Sequence, residues 1–166
     1  GLRMIDKEEL NQIDSSAGGE FAMYVPSSGI LDPMQYTIAL AENACENGAK
    51  FFFGAQVEDI AREDGMYILK TPKGSFQAKW VINCAGMYAP EISQMLGYPY
   101  YPTKGFKGEY FVLDKKAGKF LNIPVYPAPN AKGGFAVHAT PTVDGNVLVG
   151  PDSYEVEGRE DYSVTK

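Results

Sequence analysis

Cysteine and histidine are scarce in this chain. Cys45 and Cys84 are its two cysteines and His138 its single histidine. Two thiols are too few for a disulfide framework, and one imidazole with two distant thiols leaves no zinc-type spacing. Reduced thiols and a cytoplasmic location are the expectation. An excess of positive charge is also missing. Lysines and arginines number 15 against 21 aspartates and glutamates, a formal charge of −6, which is the reverse of a general nucleic-acid binder. No apolar run approaches the roughly 20 residues that cross a bilayer. The first residues, Gly1-Leu2-Arg3-Met4-Ile5-Asp6, lack the basic-then-apolar layout of a signal peptide. No Gly-x-Gly-x-x-Gly fingerprint, Walker-type loop or Gly-x-Ser-x-Gly elbow occurs, which disfavours a self-contained nucleotide enzyme.

What is abundant is glycine, at 18 of 166 residues, with 11 prolines, 11 tyrosines and 9 phenylalanines. That mixture favours short strands and tight turns. Asp6 and Glu9 have capping-box spacing before a brief helix, with Ile5 and Leu10 placed as its hydrophobic staple. Phe21 to Val25 reads as a short strand. Asp32 and Pro33 suit the N-cap and first position of a longer helix. Met34, Ile38, Ala41 and Cys45 form its expected apolar stripe, and Gly48 closes it. Strands are expected at 50–53, at 57–62, and in a hairpin of 66–70 with 75–79. Trp80 to Cys84 reads as a strand buried on both faces. A short helix follows from Ala89 to Leu96, with Ile92, Met95 and Leu96 facing inward. Gly108 to Leu113, Asn122 to Tyr126, and a hairpin of 135–140 with 146–150 around Asp144-Gly145 complete the expected strands; 127–134 reads as a loop. The fold class is therefore α+β, with a mostly antiparallel sheet and a few helices.

Three features could carry chemistry. Small residues at Ala85-Gly86 end the apolar segment, and ligands collect at such strand ends, although a plain strand-to-turn junction needs no ligand. Residues 104–132 hold six lysines, among them Lys107 and Lys132, against Glu109 and Asp114. This local surplus is first of all what a protected strand edge carries, and it also suits an anionic substrate. Lys107 and Glu109 should share one face and Gly108 and Tyr110 the other. His138 alternates with Ala136 and Thr140. It is either a packed sheet residue or a base for an alcohol proton. The run from Asp152 to Asp161, with five carboxylates against Arg159, reads as a solvated loop.

These motifs line up as a set: Gly29-Ile30-Leu31-Asp32-Pro33 opening a helix, Leu40-Ala41-Glu42-Asn43-Ala44 within it, the segment Trp80 to Gly86, Lys107-Gly108-Glu109-Tyr110, and the stretch from His138 to Pro151. The set resembles the FAD-dependent oxidoreductases of the D-amino-acid oxidase type. Within them it is most similar to the branch of glycerol-3-phosphate dehydrogenases and L-2-hydroxyglutarate oxidases. The likeness runs from about Ile5 to the end, and 138–151 is its most specific part. It implies a central section of a longer flavoprotein: mainly a sheet-based substrate domain, with segments near 29–60 and 80–97 belonging to or packing on a Rossmann-like FAD domain. The non-methionine start and the polar end at Ser163–Lys166 agree with that expectation.

The resemblance also implies roles. Val57, Ala85 and Gly86 match positions that contact FAD. His138 matches a histidine above the flavin and is the candidate base. Lys107 and Tyr110, with Tyr126 and Thr140 as neighbours, line the substrate pocket. The implied activity is oxidation of a small anionic alcohol by hydride transfer to flavin. Glycerol 3-phosphate is the first substrate, L-2-hydroxyglutarate the second, and an amine the third. The chain's implied partners are that substrate and the FAD-binding remainder of the same protein; alone the chain is expected to be inactive. A ligand-binding module without chemistry is the rival reading, and membrane association is left open.

Overall fold

A computed structural model describes residues 1–128 and 136–165. The chain order is β1 (Arg3–Asp6), α1 (Lys7–Ile13), β2 (Phe21–Tyr24), α2 (Pro33–Glu46), β3 (Asp59–Glu63), β4 (Met66–Thr71), β5 (Gly74–Ala78), α3 (Ala89–Met95), β6 (Gly105–Lys107), β7 (Phe111–Leu113), β8 (His138–Pro141), β9 (Val147–Gly150) and β10 (Tyr154–Val156). Single 3₁₀ turns occupy Gly86–Tyr88 and Ala117–Phe120. Strands outnumber helices and the registered pairs are antiparallel, so the α+β expectation holds. The chain divides into two compact units. One holds residues 1–42, 106–154 and 163–166, the other 43–105 and 155–162.

In the first unit, β1 and β2 pair around α1. The Glu9 amide donates to Asp6 Oδ1 at 2.9 Å, as a cap requires. The Glu9 carboxylate instead pairs with Arg3, so the box is made in one direction only. Ile5, Leu10 and Ala17 form a small buried cluster, with Tyr24 and Val125 packed on it. Beside it, Asp14 is 2% exposed. Its Oδ1 accepts from the Ser16 amide and hydroxyl, and its Oδ2 from the Asn122 amide at 2.7 Å. Burial opposes ionisation here, but these hydrogen bonds outweigh it and hold the carboxyl below the usual range. Asp14 thereby ties the end of α1 to residues 121–123, which lead to a bridge between Val125 and Ala139.

A three-stranded sheet of order β7-β9-β8 completes this unit. Val147, 1% exposed, sits in the central strand. The Asp144-Gly145 turn forms as expected, with Gly145 at φ +87. The expected strand from Gly108 to Leu113 is shorter. Residues 108–110 leave the ladder because Pro151 has no amide to donate, and Asp152 serves Glu109 instead: its Oδ1 accepts from the Glu109 amide and its own amide donates to Glu109 O. Likewise, 122–126 contributes the single Val125 bridge rather than a strand. Phe135, Lys132 and residues 129–134 of the loop expected at 127–134 lie outside the described residues.

α2 starts and stops where its caps put it. The Met34 and Gln35 amides donate to Asp32 Oδ1 at 2.8 and 3.0 Å, and Gly48, at φ +90, returns its amide to Cys45 O. Its expected apolar stripe is not buried. No residue of α2 is buried; Met34 and Ile38 are exposed, and so are Tyr36 and Leu40 on other faces. Caps need only local residues, whereas a stripe needs a partner surface, and the described residues supply none.

In the second unit, β3-β4-β5 form an antiparallel sheet. Asp64 and Gly65, both at positive φ, make the tight first turn. Met95 and Leu96 at the end of α3 approach Ile60, Arg62 and Tyr67 around a cleft of about 130 Å³. Residues 50–53 and 80–84 are not strands. Phe53, Trp80 and Ile82 stand in solvent, the latter two each 85% exposed. A strand needs a neighbour for its backbone donors and acceptors, and among the described residues neither segment has one. The acidic run is more engaged than a solvated loop: Lys104 pairs with Glu155, Arg159 with Glu91, and the Tyr88 hydroxyl donates to Glu160.

Candidate functional site

The geometry of β8 and β9 centres on His138. It opens β8 at half-burial, and alternation places Thr140 on the same strand face. The ring of Tyr126, one residue past the Val125 bridge, lies over the imidazole with centroids 4.4 Å apart and planes tilted by 33°. Tyr110 meets the imidazole edge-on, with centroids at 5.8 Å and its hydroxyl 3.4 Å from His138 Nε2. The other ring nitrogen, Nδ1, is 3.3 Å from Ala136 O. Desolvation first, and then the neighbouring Tyr126, pushes the Tyr110 hydroxyl above the ordinary tyrosine range.

Directly across the ladder from His138 stands Gly150, at φ +153. A Cβ there would come within 2.8 Å of Tyr110 Cδ1 and 2.7 Å of Glu109 O. The missing side chain is what lets the tyrosine ring lie against the strand. Thr140 Oγ1 is buried without a hydrogen-bond partner among the described residues. A cleft of about 370 Å³ opens beside it, lined by Ile30, Leu31, Pro33, Tyr126, Thr140 and Val143. Apolar walls with few polar groups are the usual make-up of a small-molecule pocket.

Of the residues singled out in the sequence, the structure thus gathers His138, Tyr110, Tyr126 and Thr140. Lys107 is placed with a different set. Its Nζ lies 3.2 Å from Ser163 Oγ and 3.8 Å from Glu109 Oε1, and both side chains are largely covered. The Glu109 carboxylate also accepts from Thr165 N and Oγ1 and from the Tyr154 hydroxyl. The Thr165 bonds foremost hold it below its ordinary range against the opposing effect of burial, with smaller help from Tyr154 and Lys107.

Val57, Ala85 and Gly86 belong to the second unit. Val57 precedes β3 and is half-buried. Ala85 and Gly86 form a turn braced by Asn83, whose Oδ1 accepts from the Ala85 amide and whose Nδ2 donates to Ala89 O. Gly86 has φ +56, and a Cβ there would meet nothing within 4 Å. Gly150, the Ala136 carbonyl and Asn83 escaped the sequence reading. Asn83 followed by two small residues was the one signal available, because an Asn two residues before a turn amide is a local device.

The family described as FAD dependent oxidoreductase (DAO) matches the chain over residues 1–166. A glycerol 3-phosphate dehydrogenase of Caloramator mitchellensis is 37% identical over 157 residues, covering 93% of this chain and 32% of that protein. The mitochondrial L-2-hydroxyglutarate dehydrogenase of Bos taurus is 32% identical over 176 residues, covering 98% of this chain and 38% of that protein. The chain therefore spans about a third of the length of these relatives. A crystal structure of glycine oxidase from Geobacillus kaustophilus shares the fold, with a TM-score of 0.68 at 21% identity over 99% of this chain and 42% of that one. The family match leaves no part of the sequence uncovered, and on that ground the chain belongs to the FAD-dependent oxidoreductases of the DAO family.

Proposed function

We propose that the protein containing this chain oxidises a small anionic secondary alcohol, glycerol 3-phosphate first, and that these residues supply the substrate side of its site. The observation that carries the reading is the His138 imidazole. It is packed on Tyr126, with Nε2 turned to a hydroxyl group, on a strand face whose next residue holds a buried hydroxyl without a partner among the described residues. In this reading His138 Nε2 takes the proton from the substrate's hydroxyl. Tyr126 and Thr140 line the neighbouring cleft, Tyr110 stands at the imidazole, and Lys107 holds the phosphate or carboxylate by charge.

The residues assigned to the cofactor fit it. At Ala85-Gly86 the chain presents bare backbone with open space where a side chain would stand, which is what close approach of a dinucleotide needs. Val57, Ala85 and Gly86 would hold it. The chemistry that bound FAD would supply there is a hydride acceptor for the carbinol carbon. The exposed Phe53, Trp80 and Ile82, with the unburied stripe of α2, support the segments near 29–60 and 80–97 as the ones that pack on the FAD-binding remainder of the protein. The exposed free thiols of Cys45 and Cys84 suit a reducing compartment such as the cytoplasm. No helix among the described residues is long and apolar enough to cross a membrane.

A second substrate, L-2-hydroxyglutarate, is favoured by relatives of that activity at 32% and 31% identity. It too is an anionic 2-hydroxy compound, so the same residues would serve it. The test is anaerobic reduction of the flavin in the whole protein. Bleaching by glycerol 3-phosphate supports the first reading, and bleaching by L-2-hydroxyglutarate alone transfers it to the second. A colourless protein that cannot be loaded with FAD would overturn both in favour of a ligand-binding module.

A further inference from the structure

The two ring nitrogens of His138 face groups of different character. Ala136 O, 3.3 Å from Nδ1, is a carbonyl and can only accept. The proton of the neutral ring therefore belongs on Nδ1, which leaves a lone pair on Nε2. The Tyr110 hydroxyl stands 3.4 Å from that lone pair and can donate to it. Both contacts are at the long end of hydrogen-bond range. They are sufficient to set a tautomer and weak enough to be exchanged.

We propose that Tyr110 is a positioning residue that holds His138 in its Nδ1–H form by donating to Nε2, and that its hydroxyl keeps the place the substrate's hydroxyl takes. This rests on the reading of His138 as the base. A base must present a bare nitrogen to the proton it removes. The ε tautomer, which an unconstrained histidine side chain prefers, would present an N–H instead. When substrate enters, its O–H replaces the phenol O–H at Nε2, one donor for another. The acceptor role of the ring is therefore in place before substrate binds. Two features keep the phenol at that nitrogen. Gly150 leaves space for the ring against the strand, and Tyr126 packs on the imidazole with ring centroids 4.4 Å apart.

The assignment is testable without catalysis. Protein labelled with ¹⁵N-histidine is read by long-range ¹H–¹⁵N correlation, and the His138 signal is identified by its loss in His138→Gln. The expected wild-type pattern has the pyrrole-type shift on Nδ1 and the pyridine-type shift on Nε2. Tyr110→Phe, which keeps the ring and removes the donor, should draw the two shifts toward each other as Nε2–H forms. Tyr126→Phe should leave them in place. A wild-type ring protonated at Nε2, or a Tyr110→Phe spectrum identical to wild type, overturns the proposal. The reading of His138 as base fails differently: flavin reduction at an undiminished rate in His138→Gln would remove it and leave the tautomer assignment standing.

Discussion

Gly150 and His138 face each other across the β8–β9 ladder, and the space above the glycine is filled by the ring of Tyr110. One residue without a side chain thus decides whether a hydroxyl can reach the imidazole. The adjoining Pro151 and Asp152 release residues 108–110 from strand geometry, so the Tyr110 ring is free to turn across the sheet.

Gly150→Ala should therefore disturb the site and the fold together. The new methyl would stand 2.7 Å from Glu109 O and 2.8 Å from Tyr110 Cδ1, at a φ that L residues rarely adopt. Overpacking of this kind costs roughly 1–3 kcal/mol. Urea unfolding should show that loss, and Tyr110 should leave His138. Unchanged stability and an unchanged imidazole spectrum would show that the strand accommodates the methyl by shifting.

His138→Gln keeps a polar side chain of similar reach and removes the base. In the whole protein, anaerobic flavin reduction should fall at least about 100-fold, the low end for losing acid–base catalysis. Substrate-induced changes in the flavin spectrum before reduction should persist, because the other pocket residues remain. Stopped-flow absorbance separates the two.

Much of this arrangement was legible in the residues, and the division follows the range of the interactions. Asp6, Asp32, Gly48 and Asp144-Gly145 act on amides within a few positions of themselves, so the caps and turns they mark are found where they were expected. Trp80 to Cys84 was misread as a strand, and the stripe of Met34 and Ile38 on α2 is left uncovered, because apolar composition states that a partner is needed without saying where it lies; both are exposed here. The strand from Gly108 to Leu113 was overextended because its interruption depends on Pro151 and Asp152, more than forty positions away. His138 could be singled out as the single histidine. Its three neighbours of consequence, Gly150, Tyr110 and Ala136 O, are set by cross-strand register and ring orientation, which alternation along one strand does not specify.

Asp14 should make stability depend on pH on the acid side. Its folded value lies below its ordinary one, so the unfolded chain binds the proton more readily. The contribution is fully present above the unfolded value of about 3.9 and is lost as pH falls through the folded one. Asp14→Asn should lower the urea midpoint at pH 7, by an amount equivalent to roughly 1–3 kcal/mol for buried polar groups left without their acceptor. The difference from wild type should shrink as pH approaches 3. A gap that stays constant down to that pH would mean that the carboxylate's charge is not what Ser16 and Asn122 recognise.

Trp80 offers a direct check on which surface the rest of the protein covers. It is the one tryptophan of the chain and is 85% exposed, beside the equally exposed Ile82. Burying a side chain of Ile82's size is worth roughly 1.5–3 kcal/mol, and this segment forgoes that contribution in the 166-residue chain. Trp80 emission there should be red-shifted and freely quenched by acrylamide. In the whole protein, the Trp80 component, isolated by difference against Trp80→Phe, should shift to the blue and resist quenching. Exposure to quencher in both forms would remove the segment near 80–97 from the interface assigned to it and would leave the substrate-side reading of His138 untouched.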